Sequence, residues 1–164
     1  MGNVVYALEN LTVLVVEDNN FTRVLLRQVL RALGVTKILE ANDGAEGLRE
    51  LRERKPDVVI TDWMMAPIDG LEFVRFVRTG DDSPNPYIPI IMLTGHTELS
   101  RVIEARDAGV NEFLAKPISP KSIHTRLQSL VDNPRPFVRA GAYFGPDRRR
   151  RQGEFPGSNR RGGF

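Results

Sequence analysis

Glu17, Asp18, Asp62, Thr94 and Lys116 are residue types that together could handle a phosphoryl group. Each follows a short apolar run of the kind that forms a buried strand: Leu11 to Val16, Val58 to Ile60, Ile88 to Leu93, and Phe113 to Ala115. In an open α/β sheet the carboxyl ends of parallel strands lie together, and ligands bind there. Three carboxylates at one sheet end repel one another, and that repulsion calls for a divalent cation. Magnesium fits best, because it takes a few carboxylates and completes its shell with water and phosphate oxygens. Asp62 is central and flanked by both kinds of charge, which makes it the nucleophile. The cation and Lys116 would neutralise phosphoryl oxygens, and Thr94 would donate a hydrogen bond to one of them. Taken singly, each has a plainer reading: acids at a helix start, a surface lysine, a strand-end hydroxyl.

The elements that must position these residues are legible as an alternation. After Glu17-Asp18-Asn19-Asn20, apolar residues at Phe21, Val24, Leu25, Val29, Leu30 and Leu33 have helical spacing, and Gly34 stops the run. A short strand from Thr36 to Leu39 and a charged helix ending at Lys55-Pro56 follow. Asp69-Gly70 opens a helix through Val77, and a proline-broken loop leads to the strand that delivers Thr94. A helix over about Glu98 to Ala108, a strand over Asn111 to Ala115 and a helix from Ser119 to about Val131 complete the pattern. Five strands alternating with five helices predict an α/β fold, a doubly wound five-stranded parallel sheet of the flavodoxin-like kind.

The totals bound the rest. With 164 residues and no cysteine, the chain has room for one full domain and offers neither a disulfide nor a thiolate metal site. Residues 1–132 carry 15 Lys+Arg against 19 Asp+Glu, whereas residues 133–164 carry 8 Arg against 2 acids. The reading is therefore an extension over 1–9, a mildly acidic domain over 10–132, and an Arg/Gly/Pro-rich tail over 133–164, expected to be disordered because it cannot bury a core of its own. Within the tail, Phe144-Gly145-Pro146-Asp147-Arg148-Arg149 is echoed imperfectly by Phe155-Pro156-Gly157-Ser158-Asn159-Arg160-Arg161. The N-terminus has no basic leader and no apolar run long enough to span a bilayer, so a cytoplasmic protein without a membrane partner is expected.

Glu17-Asp18, Asp62-Trp63-Met64-Met65 with Asp69-Gly70, Thr94-Gly95 and Lys116-Pro117 resemble, in order and spacing over residues 10–132, the receiver domain of bacterial two-component response regulators. The resemblance implies a stand-alone, chemotaxis-type receiver, a phosphoacceptor regulator and not an enzyme. Asp62 would take phosphate from a histidine kinase or a histidine phosphotransfer protein. Glu17, Asp18, Asp62 and the backbone carbonyl of Met64 would hold Mg2+, and Lys116-Pro117 would carry a cis peptide bond. Thr94 and Phe113 would form the switch, remodelling the face of the fourth helix, fifth strand and fifth helix that meets a downstream protein; the plainer reading of Phe113 is a core residue. The basic tail is the other surface for such a target.

Some features depart from the family pattern. Pro67 stands one place late in the turn after Asp62, Met64 is apolar where relatives often carry a polar side chain, and Phe113 replaces a frequent tyrosine. His96 reads as an exposed loop residue. Two rival functions remain open from the sequence: a nucleic-acid-binding regulator using Arg148 to Arg151 and Arg160-Arg161, and a phosphorylation-independent scaffold. Nucleic acid is the less favoured partner, because clustered arginines alone are a non-specific signal.

Overall fold

The computed structural model describes residues 8–95 and 99–149; His96 and the second arginine segment, Phe155 to Arg161, lie outside them. The expected alternation is present as β1 (Thr12–Val16), α1 (Asn20–Ala32), β2 (Lys37–Ala41), α2 (Gly44–Arg54), β3 (Val58–Asp62), α3 (Gly70–Thr79), β4 (Ile90–Thr94), α4 (Leu99–Ala108), β5 (Glu112–Ala115) and α5 (Pro120–Asp132). All five strands are parallel, in the order β2-β1-β3-β4-β5, so β3 and Asp62 occupy the centre. The second strand runs two residues further than expected, because Ala41 still pairs with Val16.

The period of two along a strand divides the interior into two layers. Leu14 and Val16 of β1 face Leu51 of α2, Phe73, Val74 and Val77 of α3, and Ala105 of α4. Val13 and Val15 face the other way, onto Leu26 and Leu30 of α1 and Ile123 and Leu127 of α5. Helix starts are fixed by side chains that accept otherwise orphaned amides. Asn19 accepts from Thr22, Asp43 from Glu46, and Asp69 and Ser119 each form a reciprocal capping box. Among the described residues no helix is long and apolar enough to cross a membrane.

Both proposed boundaries need correction. Leu8, assigned to an extension, is fully buried in the layer under α1 and α5. The expected disorder from residue 133 is contradicted between 137 and 146, where β6 (Phe137–Ala140) and β7 (Tyr143–Pro146) form an antiparallel hairpin. Its turn holds Gly141 at φ 61°, a left-handed conformation suited to a two-residue hairpin loop.

The hairpin folds because the domain supplies the core it lacks. Tyr87 lies 5.4 Å from both Phe137 and Phe144, in edge-on geometry, and Phe144 is buried. Beneath Phe137 lies Arg78, itself buried, with its guanidinium 4.9 Å from the ring centroid. Arg78 donates to the carbonyls of Gly109 and Pro86 and to Asn111 Oδ1 at 2.8–2.9 Å. Gly145 lies so close to Gly109 that an added Cβ would stand 3.0 Å from its Cα. Arg148 then clamps the end of the arm, 2.6 Å from Asp107 on α4 and stacked 4.2 Å above Tyr143.

Candidate functional site

Strand register decides which side chains meet. Val16 pairs with Thr61, so Glu17 and Asp62, one residue further on each strand, emerge side by side at the carboxyl end of the sheet. Leu93 pairs with Asp62 and Ala115 with Thr94, which brings Thr94 and Lys116 to the same end. The Lys116 amide donates to the Thr94 carbonyl at 2.9 Å and ties those two positions together.

Glu17, Asp18 and Asp62 each present a carboxylate oxygen within 4.8 Å of the others. Glu17 and Asp62 are buried while Asp18 is exposed, so the cluster meets solvent at Asp18. Lys116 Nζ lies 3.1 Å from Asp62 Oδ1 and 4.0 Å from Glu17 Oε1. Asp62 Oδ1 also accepts from the Trp63 amide at 2.8 Å, and Glu17 Oε2 accepts from the Asn19 amide at 3.1 Å. Glu17 Oε1 is buried with no hydrogen-bond partner. Burial, with the neighbouring charge of Asp62 adding to it, pushes the Glu17 carboxyl up to about 7, against the opposing pull of the Asn19 amide and Lys116.

An orphaned buried oxygen within an all-oxygen, anionic donor set is the environment a hard divalent cation satisfies. The same observation has a consequence for stability. An acid whose folded pKa is raised contributes stability that is present below its unfolded value, near 4.5, and lost as pH rises through about 7. In a metal chelator the protein is therefore expected to lose stability between about pH 4.5 and 7. Glu17→Gln should flatten the melting temperature across that window. An equal slope in wild type and variant would remove Glu17 as its cause.

Gly70 shapes the turn beside the acid. Its amide donates to the Trp63 carbonyl at 2.7 Å, and an added Cβ would stand 2.1 Å from the carbonyl oxygen of Asp62. Its close approach to Asp62 depends on the chain doubling back, which has no local signature in the sequence. The Lys116-Pro117 bond is cis, as the resemblance implies, and Ala66-Pro67 is cis as well. The structure leaves the Met64 side chain largely in solvent, and it half-buries Phe113 against the layer that holds Trp63 and Met92. Thr94 is buried at the end of β4. Arg101 of α4, absent from the sequence reading, stacks 4.9 Å over the ring of Trp63, the residue next to Asp62.

This arrangement matches known proteins over most of the chain. The sequence model described as Response regulator receiver domain matches residues 13–128. The chemotaxis protein CheY-3 of Vibrio cholerae is 30% identical over 124 residues, which cover 76% of this chain and 94% of that protein. Chemotaxis protein CheY1 of Helicobacter pylori is 37% identical over 119 residues, covering 72% and 94% respectively. The solved structure of V. cholerae chemotaxis protein CheY4 superposes with a TM-score of 0.66 at 32% identity, over 72% of this chain and 96% of that one. The chain belongs to the response regulator receiver family, the phosphoacceptor signalling domains of two-component systems.

Proposed function

We propose that Asp62 accepts a phosphoryl group from the phosphohistidine of a histidine kinase or histidine phosphotransfer protein. The observation that carries this reading is Lys116 Nζ 3.1 Å from Asp62 Oδ1, beside three clustered carboxylates at the centre of the sheet end. An Asp62 oxygen attacks phosphorus, the P–N bond breaks, and the histidine nitrogen leaves with the electron pair and takes up a proton. Lys116 is placed to follow the growing negative charge on the phosphoryl oxygens. Glu17, Asp18, Asp62 and the carbonyl of Met64 would hold Mg2+. When bound, this ion supplies neutralisation of the carboxylate and phosphoryl charges.

Thr94 and Phe113 are the proposed switch, with the Thr94 hydroxyl following the phosphoryl group and the Phe113 ring repositioned within its half-buried site. The signal would pass by contact with a downstream protein at the face of α4, β5 and α5. On this reading the protein is a cytoplasmic phosphoacceptor regulator that gains, and can itself lose, a phosphoryl group. Nucleic-acid binding draws little support from Arg148 and Arg149, because Arg148 is paired with Asp107 and Arg149 with Asp147. A phosphorylation-independent scaffold would have no need of the complete site.

Phosphoramidate with magnesium tests this reading. Wild type should gain one acid-stable, alkali-labile phosphoryl group and shift the amide resonances of residues 99–116. Thr94→Ala should still gain the group yet lose most of the shifts. Full shifts in that variant would exclude Thr94 from the switch, and an unlabelled wild type would exclude the transfer.

A further inference from the structure

The Trp63 peptide sets the direction of the acceptor carboxylate. Its amide donates to Asp62 Oδ1 at 2.8 Å, and the same oxygen faces Lys116 Nζ at 3.1 Å. A turn of that peptide would therefore misalign the hydrogen bond and rotate the carboxylate away from the lysine. On its other side the peptide chain is held by the Gly70 amide, which donates to the Trp63 carbonyl at 2.7 Å. The remaining anchor is the ring, buried in the layer that holds Leu71 and Phe73 of α3. Over this ring lies the guanidinium of Arg101, 4.9 Å from the centroid. Arg101 comes from another element, the first turn of α4, and is half-buried. A planar guanidinium stacks on an indole face and is attracted by its quadrupole. Contact thus runs from α4 through one aromatic side chain and one peptide to the reacting carboxylate.

We propose that Arg101 is a positioning residue for phosphoryl transfer to Asp62, holding the Trp63 ring from α4 so that the Trp63 amide keeps Asp62 Oδ1 facing Lys116. The inference rests on the proposed transfer to Asp62 and adds to it a residue outside the carboxylate cluster. Arg101 acts through Trp63 and not by drawing in the donor. Its effect is on how often an aligned carboxylate meets the incoming phosphorus.

The test follows labelling of the full chain by phosphoramidate with saturating magnesium, read as intact mass against time. Arg101→Gln should label about threefold more slowly than wild type, as expected for the loss of one half-exposed cation–π contact. Arg101→Lys, which keeps a cation over the ring, should recover most of the rate. Because positioning does not depend on attracting the anionic donor, the ratio of wild-type to Arg101→Gln rates should be the same at low and at high salt. A ratio that falls to one at high salt would show donor attraction and overturn the proposal. Removing the ring should remove the effect, so in a Trp63→Leu background Arg101→Gln should cost nothing further. An equal loss with and without the ring would also overturn it. Where Trp63→Leu does not fold, the emission of the chain's one tryptophan supplies the same check. Arg101→Gln should change that emission and Arg101→Lys should leave it closer to wild type; unchanged emission in Arg101→Gln would show that the guanidinium does not hold the ring. Equal labelling rates in wild type and Arg101→Gln overturn this inference alone, whereas a wild type that gains no phosphoryl group overturns the transfer to Asp62 and this inference with it.

Discussion

Deleting residues 134–164 is expected to lower the melting temperature by about 10 °C while leaving phosphorylation of Asp62 unchanged. Removing the hairpin exposes one side of Tyr87 and strips Arg78 of the aromatic ring above its guanidinium. Truncating a buried phenylalanine such as Phe144 costs about 3–5 kcal/mol. Phe137 is only half-buried and adds less, and the freed backbone recovers entropy that offsets part of the loss. The balance is a net destabilisation on the order of 3 kcal/mol, which in a domain of this size corresponds to about 10 °C. Phosphorylation should survive, because the hairpin docks against Arg78 at the end of α3 and against Tyr87 and Gly109, which precede β4 and β5, whereas Asp62 stands at the opposite end of the sheet. Phe144→Ala should reproduce most of the loss without removing a single arginine. A truncated protein melting within about 2 °C of the full chain would show that the hairpin contributes nothing to the fold.

That hairpin also marks the limit of what could be read from the chain. Four of the five strands were legible because each is a mainly apolar run that ends in or is followed by a polar residue, and the five helices because their apolar faces and caps are local. The site was legible for the same reason: once the strands are parallel, the residue that ends each strand has only one place to go. Glu17, Asp18, Asp62 and Lys116 meet there. The arm was not legible, because its aromatic residues are too few to form a core alone. Their partners, Tyr87 and Arg78, lie about 50 residues or more earlier in the chain. Phe137-Val138 and Tyr143-Phe144 on either side of Gly141-Ala142 do form a weak hairpin signal. The stacking of Arg101 on Trp63 and the close approach of Gly70 to Asp62 have no such signal; they follow from where α4 and the turn after β3 come to lie.

The largest single-residue effect is expected at Asp62. An amide in its place keeps the size and the acceptor oxygen facing the Trp63 amide, but it removes the nucleophilic charge that faces Lys116 at 3.1 Å. Lys116 and Glu17 remain, so a residual acceptor would have to be a different carboxylate. The most direct measurement is intact mass followed by peptide mapping, after incubation with acetyl phosphate and magnesium. Wild type should carry one phosphoryl group on the peptide containing Asp62, lost when magnesium is chelated before the donor is added, and Asp62→Asn should carry none. A phosphoryl group on Asp62→Asn, or on any other peptide of the wild type, would contradict the assignment of Asp62 as the acceptor.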